Sequence, residues 1–124
     1  GMRVSLFVDA DPIAPDQAAM VGADRIELYT GPYGGALDEV PAKRELQALK
    51  TTADAARELG ANRLGGRPAL LVNAGHDLNL VNLPPLKQAV PDLAEVSIGH
   101  AVTADALIYG MAETVRKYKA VCAG

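Results

Sequence analysis

The chain has 124 residues, a formal net charge of −3, and 49% hydrophobic against 22% charged residues. That suffices for one globular domain with its own core, and the acidic balance excludes nucleic acid as the default partner, because phosphate neutralisation takes clustered Lys and Arg. No apolar run approaches the roughly 18 residues of a membrane helix, no basic-then-apolar leader opens the sequence, and one cysteine with two histidines supplies too few ligands for a zinc finger or an iron–sulfur cluster. These features predict a cytoplasmic α/β protein without disulfides, metal or membrane contact.

In chain order, Arg3 to Val8 reads as a strand with Val4, Leu6 and Val8 on one face and Ser5 and Phe7 on the other. Pro15 suits the first turn of a short helix through Met20, and Gly22 can stop it in a left-handed conformation. Arg25 to Tyr29 is a second strand, followed by a loop over Thr30-Gly31-Pro32-Tyr33-Gly34-Gly35. Pro41 opens a long helix with Ala42, Leu46, Leu49, Ala53 and Ala56 on its apolar face, and Gly60 is expected to close it. Leu70 to Asn73, with Ala69, is the third strand; a short helix spans Pro84 to Ala89, and Ala94 to Ile98 is the fourth strand. One last helix is expected from an N-cap at Thr103, with Leu107, Met111, Val115, Tyr118 and Cys122 forming its apolar face.

Four consecutive β–α units imply a parallel sheet with right-handed crossovers. Two closures are open: a complete doubly wound sheet, or half of an eight-stranded barrel, which takes about 200–250 residues in full. The loop Leu64-Gly65-Gly66-Arg67-Pro68 falls at the N-terminal end of the strands, which makes Arg63 and Arg67 solvated rather than catalytic.

Functional groups of parallel α/β proteins gather at the C-terminal strand ends. Those ends here carry Asp9 and Asp11, Glu27 with Thr30, His76 with Asp77, and Ser97 with His100. Glu27, between Ile26 and Leu28, points away from the helix layer; it is either a carboxylate inside a barrel or one paired with Arg25 or Arg3. Both histidines follow a glycine at a strand-to-helix turn. Each reads as a hydrogen-bonded loop residue or, taken together, as site groups: His100 before the final helix N-terminus for phosphate, His76 for proton transfer. Asp9 and Asp11 are a metal or acid/base pair or, more simply, caps of the turn at Pro12. A phospho-receiver domain would need a Lys after a later strand, and there is none.

Val4-Ser5-Leu6-Phe7-Val8-Asp9-Ala10-Asp11, Ile26-Glu27-Leu28-Tyr29-Thr30-Gly31, Val72-Asn73-Ala74-Gly75-His76 and Ser97-Ile98-Gly99-His100-Ala101 resemble, in order and spacing, strands five to eight of the pyridoxine 5′-phosphate synthase family. The resemblance covers essentially the whole chain, including Gly1-Met2, and implies that residues 1–124 are the C-terminal half of a TIM (β/α)₈ barrel. It implies a condensation of 1-deoxy-D-xylulose 5-phosphate with 3-amino-2-oxopropyl phosphate, no cofactor, and a cytoplasmic homo-oligomer completed by the N-terminal half of the same barrel. Glu27 would stabilise charged intermediates and His76 donate a proton, while Asp77, Gly99 and His100 surround substrate phosphate. Asp77 departs from the family's frequent Gly, and the Arg63–Pro68 loop is longer than usual. The alternatives are a non-catalytic phosphate-binding half-barrel and a self-sufficient open-sheet module.

Overall fold

The computed structural model describes residues 1–62 and 69–123. The elements are β1 (Ser5–Val8), α1 (Ala14–Met20), β2 (Arg25–Tyr29), α2 (Gly31–Gly34), α3 (Glu39–Asn62), β3 (Leu71–Gly75), α4 (Leu83–Ala89), β4 (Glu95–Ser97), α5 (His100–Tyr109) and α6 (Met111–Ala123). All strand pairs are parallel and the order is sequential, β1-β2-β3-β4. The sequence expectation of an α/β chain with a parallel sheet therefore holds. Among the described residues, no helix is long and apolar enough to cross a membrane.

Register gives the sheet two unlike faces. Residues paired across parallel strands share a face, and the face alternates along each strand. Leu6, Ile26, Val72 and Leu28, Ala74, Val96 form one side. There Ile26, Leu28 and Ala74 are fully buried, in one core with Leu49, Ala53 and Ala56 of α3, Leu83 and Leu86 of α4, and Tyr118 of α6. The other side carries Phe7, Arg25, Glu27, Tyr29, Asn73, Gly75, Glu95 and Ser97. Among the described residues no helix covers it: Phe7 is 57% and Leu71 42% exposed. Each fully buried aliphatic side chain on the covered side contributes roughly 1.5–3 kcal/mol.

Local chemistry explains most boundaries. Pro15 lies in the first turn of α1, and Gly22 ends it at φ 84, with Ala23 N–H donating to the Ala18 carbonyl at 3.0 Å. Several expectations need correction. The segment after β2 is not a loop throughout, because Gly31–Gly34 form a helical turn. α3 begins at Glu39, ahead of Pro41, and runs past Gly60 to Asn62. β3 extends through Ala74 and Gly75, poor strand formers held by pairing with Tyr29 on one side and Ser97 on the other. The loop with Arg63 and Arg67 lies outside the described residues.

The largest correction concerns the last helix, which is two. Gly110 sits at φ 79, a backbone that L side chains rarely adopt, and separates α5 from α6. Thr103 is not the N-cap: α5 starts at His100, and the Thr103 hydroxyl donates back to the Gly99 carbonyl at 3.0 Å. The expected continuous apolar face is divided. Leu107 is 87% and Met111 58% exposed, whereas Tyr118 is buried and donates its phenol to Asp105 at 2.8 Å.

Candidate active site

β2 positions Glu27 by alternation: its neighbours Ile26 and Leu28 face the core, so its carboxylate must face the bare side. Neither expected partner claims it. Arg25 instead donates to Asn73 Oδ1 at 3.4 Å and pairs with Glu95 at 3.1 Å, lower on the same face. Among the described residues Glu27 has no ion pair. Its carboxylate lies over Gly75 of β3, where a Cβ would collide with Oε1 and would stand 3.1 Å from the Ser97 Cβ. The glycine is what allows a strand side chain to reach across to the neighbouring tip.

His76 and Asp77 follow β3 in a turn with φ 98 and 53, the only non-glycine residues at positive φ among those described. Such a backbone is disfavoured for L-residues, more so for His76 than for Asp77. Surrounding groups hold it. Thr30 N–H and hydroxyl donate to the carbonyls of Gly75 (2.9 Å) and His76 (2.5 Å), and Asn82 Nδ2 donates to that of Asp77 (2.9 Å). Gly34 presses on the same turn, since a Cβ there would meet the Asp77 carbonyl at 2.5 Å. Burial pushes the Tyr33 phenol up, which keeps it a donor to the Asn82 carbonyl at 2.8 Å.

The imidazole of His76 is bracketed by aromatic rings. Tyr29 meets it edge-on with centroids 5.1 Å apart, and Phe7 lies at 6.3 Å. The Asp77 carboxylate turns back toward it, with Oδ2 3.7 Å from Nδ1. After β4, Gly99 precedes α5 and His100 is its first residue, so both stand at a helix N-terminus, where among the described residues nothing accepts from their amides.

Glu27, His76, Asp77, Gly99 and His100 all line one open cleft of about 570 Å³ at the C-terminal strand tips. The five residues singled out in the sequence are thus brought together. Asp9 and Asp11 are not. Asp11 Oδ1 accepts the Ile13 N–H at 3.0 Å, the expected turn cap, and Asp9 borders a separate hollow with Tyr29, Tyr33 and Glu45. Sequence reasoning missed Gly34, Gly35 and Asn79 in the cleft wall and Asn82 behind it, and named Thr30 only as a strand end. The Gly34-Gly35 pair was their one visible signal. Among the described residues, no group of three or more His, Cys, Asp or Glu is placed to hold a metal ion.

The cleft offers two carboxylates, two imidazoles and a helix N-terminus, a set able to bind anionic groups and move protons. A parallel α/β sheet with such groups converging at its C-terminal tips is the arrangement of a strand-tip ligand site. Comparison with known proteins narrows the class. Residues 1–124 match the family described as "Pyridoxal phosphate biosynthesis protein PdxJ". The chain is 58% identical to the pyridoxine 5′-phosphate synthase of Chelativorans sp. (strain BNC1), over 98% of this chain and 47% of that protein. It is 56% identical to that of Allorhizobium ampelinum (98% and 46%) and 52% identical to that of Brucella anthropi (99% and 47%). The chain belongs to the PdxJ family, and it spans about half the length of these relatives.

Proposed function

We propose that this chain is the C-terminal half of a pyridoxine 5′-phosphate synthase, a (β/α)₈ barrel enzyme that condenses 1-deoxy-D-xylulose 5-phosphate with 3-amino-2-oxopropyl phosphate. The observation that carries the reading is the convergence of Glu27, His76, Asp77, Gly99 and His100 on one cleft. Two features favour half a barrel over a doubly wound sheet: the strand order is sequential, and one face lacks helices. An N-terminal half would pair with the free edges of β1 and β4 and enclose the bare face, putting Glu27 inside the lumen. The completed enzyme then acts as a homo-oligomer in the cytoplasm on small phosphorylated substrates.

In this mechanism Glu27 stabilises positive charge developing on the condensing intermediates. His76 hands a proton to the departing group. Phosphate is held by amides of the His76–Asp77 turn, by Gly99 and His100, and by the α5 N-terminus, donors already in place before the reaction. The Asp77 carboxylate is kept off the anion by facing the His76 ring.

The test is a chimaera in which this chain replaces the matching stretch of the Chelativorans relative, assayed for pyridoxine 5′-phosphate. The chimaera is expected to turn over, and Glu27→Gln to lower kcat about a hundredfold or more, with phosphate affinity within about threefold. A chimaera that binds phosphate but makes no product, beside an active parent, assigns the chain to the non-catalytic alternative. Undiminished turnover by Glu27→Gln overturns the role of that carboxylate.

A further inference from the structure

We propose that Thr30 and Asn82 are positioning residues, which clamp three successive carbonyls so that the His76–Asp77 turn presents its imidazole and amides to the cleft. The proposal rests on the roles given above to His76 and Asp77. Thr30, at the tip of β2, uses both of its donors: its N–H holds the Gly75 carbonyl at 2.9 Å and its hydroxyl the His76 carbonyl at 2.5 Å. Asn82, just before α4, holds the next carbonyl, that of Asp77, at 2.9 Å. No carbonyl from Gly75 to Asp77 is left to choose its own direction.

The clamp is itself fixed. Thr30 is fully buried, so its hydroxyl is shielded from exchange with solvent. Asn82 Oδ1 accepts the Asn79 N–H at 2.8 Å, which leaves Nδ2 as the end facing Asp77. The Asn82 N–H and carbonyl are in turn bound by Asn79 Oδ1 at 3.0 Å and by the Tyr33 phenol at 2.8 Å.

Trans peptides point each N–H opposite its own carbonyl, and the described residues contain no cis bond. With the carbonyls drawn toward Thr30 and Asn82, the N–H groups of His76, Asp77 and Leu78 lie on the other side of the turn. All three residues line the cleft, and among the described residues no group accepts from those amides. Without the clamp, His76 at φ 98 relaxes toward negative φ, which rotates the imidazole and the amides away from their target.

The chimaera again supplies the test. Thr30→Val keeps the shape of the side chain and removes the hydroxyl. It is expected to lower kcat about a hundredfold, as misplacement by about 1 Å does, and to raise KM for the phosphorylated substrate that the turn amides hold, with the melting temperature little changed. Thr30→Ser restores the hydroxyl and most of the rate. Asn82→Asp keeps the acceptor for Asn79 and loses the donor to Asp77. It gives the same kind of loss from a position that is not fully buried, should Thr30→Val fail to fold. Wild-type kcat in both variants, beside a dead His76→Gln, overturns the clamp and leaves the His76 reading standing. An active His76→Gln overturns that reading instead. A crystal structure of either variant then decides the clamp by itself: His76 and Asp77 still at positive φ refute it.

Discussion

The two faces of the sheet are built from the same four strands, residue by residue in alternation, yet they obey different rules. On the covered face Ile26, Leu28 and Ala74 are fully buried against α3 and α4. On the bare face the corresponding positions hold Arg25, Glu27, Asn73 and Glu95, with Phe7 57% exposed. One face stabilises the chain whether or not anything else is present. The other carries charges and an aromatic ring that contribute little to the core, and the proposed barrel would enclose them. Stability and chemistry are separated by a single-residue step along each strand.

Truncation on each face tests that separation most strongly. Leu28→Ala should destabilise the chain by about 3 kcal/mol, measured by denaturant unfolding, either alone or within the chimaera. Phe7→Ala should cost under about 1 kcal/mol in the chain alone and roughly 3 kcal/mol in the chimaera, where the ring is enclosed. Equal costs in the two settings would mean that the bare face stays bare.

Gly75→Ala sharpens the comparison at the site. The added Cβ meets the movable end of Glu27, so the side chain swings aside and the fold loses under about 1 kcal/mol. Turnover in the chimaera should fall about tenfold or more, since the displaced carboxylate no longer sits over Gly75. Unchanged kinetics would show that the crossing of Glu27 over Gly75 is incidental.

The smallest effect belongs to the covered side. Burial, and then the hydrogen bond to Asp105, push the Tyr118 phenol up to about 12 from its ordinary value near 10. A folded state that holds this proton more tightly than the unfolded chain keeps the full benefit below pH 10 and loses it as pH rises toward 12. Thermal unfolding followed from pH 9 to 12 should fall more steeply for the native chain than for Tyr118→Phe. Parallel curves would remove Tyr118 from the alkaline response.

Much of this arrangement was legible in the sequence because alternation is local. Glu27 between Ile26 and Leu28 announces its face, and two Gly-His steps after successive strands announce a shared rim. What escaped depends on contacts distant in sequence. Gly110 breaks the last helix, yet Leu107, Met111 and Val115 keep helical spacing across it, and only the glycine itself signals the left-handed turn. Thr30 looked like the end of a strand, because its hydrogen bond to His76 spans 46 residues. Ala74 and Gly75 lack strand propensity and were left out of β3, although ladders on both sides hold them there. The resemblance of four tip motifs to one family favoured half a barrel over an open sheet, the choice of closure that periodicity alone left open.

The clustered rings of Phe7, Tyr29 and His76 have an optical consequence. The chain contains four tyrosines and no tryptophan, so its ultraviolet emission is tyrosine emission alone. Tyr29 meets the His76 ring edge-on at 5.1 Å, so its emission reports on the surroundings of that ring. The molecule thus carries a built-in dye beside its proposed acid, placed to respond when the cleft is filled.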